Sequence, residues 1–356
     1  MSPLPSTMKV VHQPDPKSVH LVLDDGPLPT LSHPEDCLIR VYTASPCLGE
    51  LHWERNFPSL FEPGRERVPC TEAAGVIVQA PTPSSSSSKV ATRNQRLFKP
   101  GDHVFFRVEP SMTGNLRQYS VARTSQLAHK PSNLGWVEAG ATPLSALTAW
   151  QGIFDQSALD PRGLFGDVGA RRANASLRVL VTGASGVVGG WAVQLAALAG
   201  AGAVVAYAGG RSSAEYVRGL GATEVIDYKE QSLTEWVARD PEGRAVDAIL
   251  DCVGGVTLGS CWHAVKDGGF LLSVASDPAQ VKPEDVEKNL AASKWFLVEP
   301  KGSQLAQIAT LMEQGKCVTK VDSAVDFDEF QTAFDKVEQK TAKGKVVIKV
   351  LQLNGR

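Results

Sequence analysis

The sequence predicts an α/β chain of two domains, in which a β-rich first third precedes a doubly wound parallel sheet. Three observations carry this. Short apolar runs alternate with turn residues up to about Trp136. From Leu177 onward, near-continuous apolar runs alternate with helical segments, as in a sheet buried on both faces. A glycine-rich turn joins the first of those later runs to a helix. At 356 residues and 43% hydrophobic content, the chain can fill two cores.

In chain order, Met8–Val11, Cys37–Ala44, Gly75–Gln79, His103–Phe106 and Tyr119–Ala122 read as strands. Pro81–Ser88, with five consecutive serines, reads as a flexible surface loop, and Phe98–Val104 as a turn leading into a strand. Val137–Phe154 is rich in Ala and Leu and predicts helix. Asp155–Ser176 has Pro, Gly and Arg without periodicity and predicts a long exposed loop. Arg178–Val181, Ala203–Tyr207, Glu224–Ile226, Asp247–Leu250 and Gly269–Val274 are the strand candidates of the parallel sheet. Gln304–Glu313 and Phe327–Glu338 predict helices, and Lys345–Leu351 a closing strand. No repeat of tens of residues is present, which excludes solenoids and propellers.

The charge balance narrows the function. With 36 basic and 38 acidic side chains the formal net charge is −2, and neither a basic stripe nor an acidic tail appears. Nucleic-acid and membrane-surface binding therefore lack an electrostatic footprint, and the partner expected from the site residues below is a small-molecule substrate. No apolar run reaches transmembrane length. The first 18 residues lack the apolar region of a secretory signal, so a cytosolic location is the default expectation. Cys37, Cys47, Cys70, Cys252, Cys261 and Cys317 form no Cys-x-x-Cys pair and read as free thiols. The sequon at Asn174-Ala175-Ser176 is then without consequence.

The strongest local signal runs from the strand Val179-Leu180-Val181 into Gly183-Ala184-Ser185-Gly186-Val187-Val188-Gly189. The helix that follows carries Val188, Trp191, Ala192, Leu195, Ala196 and Ala199 on one face. Glycine is needed there because backbone must approach a diphosphate closely, and the helix start offers N–H groups and a positive dipole end to the anion. A tight turn that binds nothing is the competing reading. Sites for the unphosphorylated cofactor place Asp or Glu on the ribose about 20 residues past the glycines. Here the stretch is Ala206-Tyr207-Ala208-Gly209-Gly210-Arg211-Ser212-Ser213, with no carboxylate to repel a 2′-phosphate. Arg211 offers a bidentate donor and Ser212 a hydroxyl, which points to NADP(H). The alternative leaves Arg211 as an ordinary surface charge.

With these residues the chain resembles the medium-chain dehydrogenase/reductase superfamily, in its zinc-free quinone oxidoreductase and enoyl reductase branch. The resemblance rests on Phe98–Val104 (FKPGDHV), Ala139–Trp150 (AGATPLSALTAW), Val181–Leu195 (VTGASGVVGGWAVQL), Leu220–Tyr228 (LGATEVIDY), Asp251–Gly255 (DCVGG) and Gly344–Val350 (GKVVIKV). It implies a GroES-like β-barrel catalytic domain from residues 1–147 and 295–356, and a Rossmann NADP-binding domain from 148–294. It places Thr148 near the nicotinamide, Tyr228 at the adenosine end, and Val253, Gly254, Val274 and Ala275 along the nicotinamide half, with Lys345 approaching from the last strand. It also implies a homodimer joined through edge strands.

Zinc-dependent members carry a Cys, a His-Glu pair and a further Cys, and a catalytic zinc needs three protein ligands. Here the second region reads Cys70-Thr71-Glu72, with Thr71 in place of histidine, and Pro143–Thr148 offers no thiolate. Cys47 lies near the first ligand, and no structural-zinc cysteine cluster is present, so no metal is expected; the alternative is that Cys47, Cys70 and Glu72 converge on one without a histidine. Without a Lewis acid the acceptor must already be electrophilic, as a quinone or α,β-unsaturated carbonyl is. Glu50 and His52 are the candidate acid/base groups, with a structural hydrogen-bonding role as the alternative for each. Cys47, Trp53, Phe57, Phe61, Trp295 and Phe296 are candidates for lining the substrate pocket, the alternative being core packing. An alcohol/ketone dehydrogenase and a cofactor-binding protein without turnover remain open.

Overall fold

The computed structural model describes residues 3–81 and 98–352, so the serine stretch beyond Pro81 lies outside the described residues. The chain divides into two units. The first comprises Met1–Leu144, Pro300–Gly315 and Thr319–Arg356; the second comprises Ser145–Glu299 with Lys316–Val318.

The first unit begins with β1 (Thr7–His12) and β2 (Val22–Pro27), paired as an antiparallel ribbon. It continues with β3 (Asp36–Ser45), β4 (Glu72–Gln79), β5 (His103–Arg107), β6 (Tyr119–Arg123) and β7 (Leu127–His129). The second unit supplies β8 (Arg178–Thr182), β9 (Ala203–Ala208), β10 (Glu224–Asp227), β11 (Val246–Asp251), β12 (Val265–Ser273) and β13 (Ala292–Trp295). The chain then returns to the first unit with β14 (Val321–Asp326) and β15 (Lys345–Lys349). There the sheet runs β14-β15-β3-β4-β5-β7, with β6 also on β3. β15 joins β3 antiparallel through Ile348 opposite Ala44 and Lys349 opposite Thr43. The core of this unit gathers Val10, Ile39, Ile77, Phe106, Phe334, Val346 and Ile348.

In the second unit every strand pair of the sheet is parallel. Val179, Leu180 and Val181 are all fully buried, as are Val205 and Ala206. That is why these strands read as unbroken apolar runs rather than alternating ones. Trp236, Trp262, Leu258 and Leu271 close one side of the sheet.

Three elements differ from expectation. β2 has the sequence VLDDGP, mostly exposed, with residues that strands avoid; it forms because β1 offers it a ladder. β13 pairs with β12, Trp295 opposite Ser273, and the side chain of Gln151 exchanges hydrogen bonds with the backbone of Glu299 at 2.9 Å in both directions. Residues 295–299 therefore belong to the second unit, as do Trp295 and Phe296.

The third is the segment 155–176, which is exposed over most of its length but is not a loop. It folds as a 3-10 helix (Pro161–Phe165) and an α-helix (Val168–Asn174). Asp160 and Asp167 cap them by accepting from the N–H groups of Arg162 and Ala170, and Pro161 fits the first helical position. These are helix-start signals on pieces too short to show periodicity.

Asn174, the residue of the sequon, is buried. Its Nδ2 donates to the carbonyls of Asp160 (3.0 Å) and Ala199 (2.9 Å), and its Oδ1 accepts from the N–H of Asp160 (2.9 Å). Asn174→Ala leaves those backbone groups unmatched and is expected to lower stability by about 1–3 kcal/mol. Chemical denaturation checks this; an unchanged midpoint would show that solvent replaces the amide.

Candidate active site

The sheet order β10-β9-β8-β11-β12-β13 winds one way from β8 and the other way from β11. The loops after these two strands diverge and leave a crevice at the carboxyl ends, where open α/β sheets hold ligands. The turn after β8 enters it at Gly183, with φ +57°. A Cβ on Gly189 would lie 2.3 Å from the carbonyl oxygen of Gly183 and 2.7 Å from the Cα of Ala184. Only glycine lets the Val187–Ala199 helix start that close to the turn. Its N-cap, Gly186, offers no side-chain acceptor, so no cap side chain covers the first N–H groups. Across the crevice, Cγ2 of Val253 sits 3.1 Å from where a Cβ of Gly183 would be.

One buried carboxylate fixes these loops. Asp251, at the end of β11, accepts on Oδ1 from the Thr182 hydroxyl (2.6 Å) and the Val253 N–H (3.3 Å). Its Oδ2 accepts from the Gly254 N–H (2.9 Å) and the Ser273 hydroxyl (2.8 Å). The Thr182 hydroxyl accepts in turn from the N–H of Cys252, and that of Ser273 from the N–H groups of Ala275 and Ser276. The ends of β8, β11 and β12 are thereby tied to one side chain. Val253 lies against Gly183, and Cβ of Ala275 sits 3.1 Å from where a Cβ of Gly254 would be. The sequence reading missed Asp251, although a carboxylate closing the apolar run Ala248–Leu250 was the signal.

At the end of β9, a Cβ on Gly209 would lie 2.3 Å from Cζ of Tyr228, so glycine makes room for that ring. Tyr228 is half-exposed and meets Tyr207 edge-on, with centroids 5.9 Å apart. The nearby carboxylate, Asp227, is engaged by the N–H groups of Gly210 (2.9 Å) and Lys229 (3.0 Å), which hold its carboxyl below the usual range. Arg211 opens the next helix with a side chain 93% exposed and pairs at i,i+4 with Glu215. Nζ of Lys229 lies 3.8 Å from where a Cβ of Gly210 would be, a second cation that the sequence reading did not use. Ser212 follows Arg211 on the helix, and Thr148 is buried within the Pro143–Trp150 helix.

The first unit holds a buried polar cluster. Glu50 takes the N–H of Cys47 on Oε1 (3.1 Å) and that of Cys70 on Oε2 (3.2 Å). Burial outweighs these bonds and the nearby Lys345 charge, and pushes its carboxyl up to about 8. Lys345 is buried rather than extended, with its ammonium on Oε1 of Glu72; the Leu144 N–H donates to Oε2 (2.7 Å). Cys70 adopts φ +68°, uncommon for a residue with a side chain, and its carbonyl accepts from Nδ2 of Asn115 (2.9 Å). Burial pushes the Cys47 thiol up to about 12, which keeps it protonated at neutral pH. His52 and Trp53 are half-buried at the following helical turns. Phe296 is buried in the second unit against Gly152, which makes it a core aromatic there.

Comparison with known proteins identifies the lineage. A family model described as zinc-binding dehydrogenase matches residues 220–348. A probable zinc-binding oxidoreductase, mitochondrial, of Arthroderma benhamiae is 42% identical over 98% of both chains. The chain belongs to the medium-chain dehydrogenase/reductase superfamily. Other relatives of this oxidoreductase are a chloroplast envelope quinone oxidoreductase homolog of Arabidopsis thaliana (31% identical, 79% of each chain) and a human mitochondrial NAD(P)H oxidoreductase (31%, 72% of this chain and 66% of the other). The solved quinone oxidoreductase of Coxiella burnetii shares the fold, with a TM-score of 0.76 over 97% of this chain and all of the other at 20% identity.

Two expectations meet these findings. The family model's zinc does not suit this oxidoreductase: Glu72 is already bound by the Lys345 ammonium, Thr71 stands where a histidine ligand would, and the Cys47 thiol is held protonated. Among the described residues no group of three His, Cys, Asp or Glu is placed to hold a metal. The cytosolic expectation does not stand, because the relative at 42% identity and the human relative are both mitochondrial. The absence of an apolar leader speaks only to the secretory route; mitochondrial leaders are amphipathic and rich in Arg and Ser.

Asp251→Asn presents an amide to groups that all donate. It is expected to lower stability by about 1–3 kcal/mol. Its effect should be non-additive with Ser273→Ala by at least about 0.5 kcal/mol in a double-mutant cycle. Additive losses would show that the loops are fixed by something other than this carboxylate.

Proposed function

We propose that this oxidoreductase binds NADP(H) on the second unit and reduces a small conjugated acceptor, a quinone or an α,β-unsaturated carbonyl, without a metal. The observation that carries the cofactor reading is the pairing of the Gly183–Gly189 turn with a cationic neighbour, Arg211 and Lys229, whose nearby carboxylate is spent on backbone. The diphosphate takes the uncapped N–H groups at the start of the Val187–Ala199 helix. Arg211, Ser212 and Lys229 take the 2′-phosphate, with Arg211 leaving the weak exposed pair with Glu215. Tyr228 covers the adenosine, and Thr148, Val253, Gly254, Val274 and Ala275 border the nicotinamide. Relatives that are a quinone oxidoreductase homolog in Arabidopsis and an NAD(P)H oxidoreductase in human support a nicotinamide-dependent reduction.

When bound, the reduced nicotinamide supplies a hydride. The protein's part is to hold the acceptor in line, exclude water, and donate hydrogen bonds and finally a proton to the charge that develops on it. A donor set unsuited to zinc leaves a saturated ketone without a Lewis acid, whereas a conjugated acceptor is already electrophilic and its developing oxyanion can be met by hydrogen bonds.

Arg211→Ala is expected to raise the KM for NADPH at least about tenfold, a loss of about 1.4 kcal/mol, while the KM for NADH stays within about twofold. Equal effects on both would remove the 2′-phosphate assignment. The acceptor class is tested by NADPH absorbance loss against quinones, enals, enones and saturated ketones. Turnover is expected with the conjugated set; oxidation with saturated ketones alone, or saturable binding with no turnover across the panel, would overturn it.

A further inference from the structure

Two neighbouring loops of the second unit stand where the 2′-phosphate is proposed to bind, and one carboxylate joins them. β9 and β10 end side by side, with Ala208 opposite Asp227. The loop after β9 is Gly209-Gly210, and the loop after β10 begins Tyr228-Lys229. A Cβ on Gly209 would strike the Tyr228 ring, and the Lys229 ammonium reaches over Gly210, 3.8 Å from where a Cβ would be. Asp227 spans the two loops. Its Oδ2 accepts from the Gly210 N–H (2.9 Å) and its Oδ1 from the Lys229 N–H (3.0 Å). Its carbonyl accepts from the N–H groups of Glu230 and Gln231, both at 3.0 Å. Gly210 holds φ +82° and is the N-cap of the nine-residue Arg211–Gly219 helix, with no side chain to cover the first N–H groups. The bond to Asp227 therefore fixes the residue from which Arg211 departs.

A carboxylate at this place can act in two opposed ways. By charge, it repels a 2′-phosphate and favours the 2′-hydroxyl of NAD(H). By position, it favours the phosphate, because it orients the backbone that carries Arg211 and Lys229. Two observations favour position. Both oxygens of Asp227 are engaged by backbone N–H groups of the loops that bear the cations. Asp227 is also partly exposed, so water and salt screen its charge, whereas its hold on the backbone is unaffected by screening.

We infer that Asp227 is the positioning residue of the 2′-phosphate pocket: by gripping the N–H groups of Gly210 and Lys229 it sets where Arg211 and Lys229 stand, and it raises the preference for NADP(H) despite its own negative charge. The inference rests on the NADP(H) reading above. Asp251 ties the loops after β8, β11 and β12 in the same manner. The second unit thus uses two carboxylates, one for the diphosphate end of its crevice and one for the 2′-phosphate end.

The test measures dissociation constants of NADPH and NADH by cofactor fluorescence in the full-length protein, for wild type, Asp227→Asn and Asp227→Glu. Competition by 2′,5′-ADP against 5′-ADP isolates the phosphate. Asn removes the charge and turns an amide toward a donor N–H; Glu keeps the charge and displaces the oxygens by one methylene. Both variants are expected to weaken NADPH about tenfold while NADH stays within about twofold. A charge role gives the opposite sign for Asn, with NADPH tightened relative to NADH, and an unchanged preference for Glu. That pattern, or equal weakening of both cofactors, would overturn the inference.

A second background separates positioning from direct contact. With Arg211→Ala and Lys229→Ala in place, Asp227→Asn should alter NADPH affinity less than about twofold, since the clamp then has no cation to place. A further tenfold loss there would show that Asp227 acts by another route. Wild-type protein that binds NADPH no more tightly than NADH would sink the 2′-phosphate reading itself, and this inference with it. A clear wild-type preference that survives both Asp227 variants would sink the inference alone.

Discussion

The carboxylate of Asp251 is the point on which the ligand-facing end of the second unit depends. A parallel sheet delivers its loops at one end, but nothing in the ladder itself sets how those loops lie. Here one buried side chain accepts from two hydroxyls and two backbone N–H groups, and the hydroxyls pass the constraint on to Cys252, Ala275 and Ser276. The unit buries a charge to do this, and that cost is offset only because every lone pair finds a donor. The glycines play the complementary part. Where Asp251 fixes the loops, Gly183 and Gly189 remove the atoms that would keep backbone away from a ligand.

The first unit buries charge differently. Glu50, Glu72 and Lys345 lie together, with Glu50 on backbone N–H groups and Glu72 shared between an ammonium and another N–H. Three ionisable groups in one buried region cannot all ionise at little cost. One solution is an ion pair beside a neutral acid, and Lys345 with Glu72 beside a protonated Glu50 has that form. The same lysine leaves Glu72 no free charge with which to hold a metal.

Much of this was legible in the sequence, and for identifiable reasons. Strands buried on both faces announce themselves as apolar runs, and the Gly183–Gly189 turn could be placed because its strand and helix flank it. Arg211 could be singled out because a charge stands where a carboxylate would otherwise be expected. What stayed hidden depends on contacts distant in the chain. Lys345 meets Glu72 only because β15 reaches the sheet that holds β4. Asn174 looked like a surface sequon, yet its amide is consumed by Asp160 and Ala199. The segment 155–176 has no period to detect, since its two helices are about one or two turns long and are held by caps instead.

The pairing of β15 with β3 has a consequence for how the chain is made. Residues 345–349 are made after all the other strands described above, and they complete a sheet begun about three hundred residues earlier. The second unit, nearly all one contiguous stretch, can finish its core while the first still has an open edge beside β3. An unpaired edge invites strand addition from other chains. Synthesis therefore exposes the nascent protein to misassociation until β15 arrives, and the Lys345–Glu72 contact cannot form before it does.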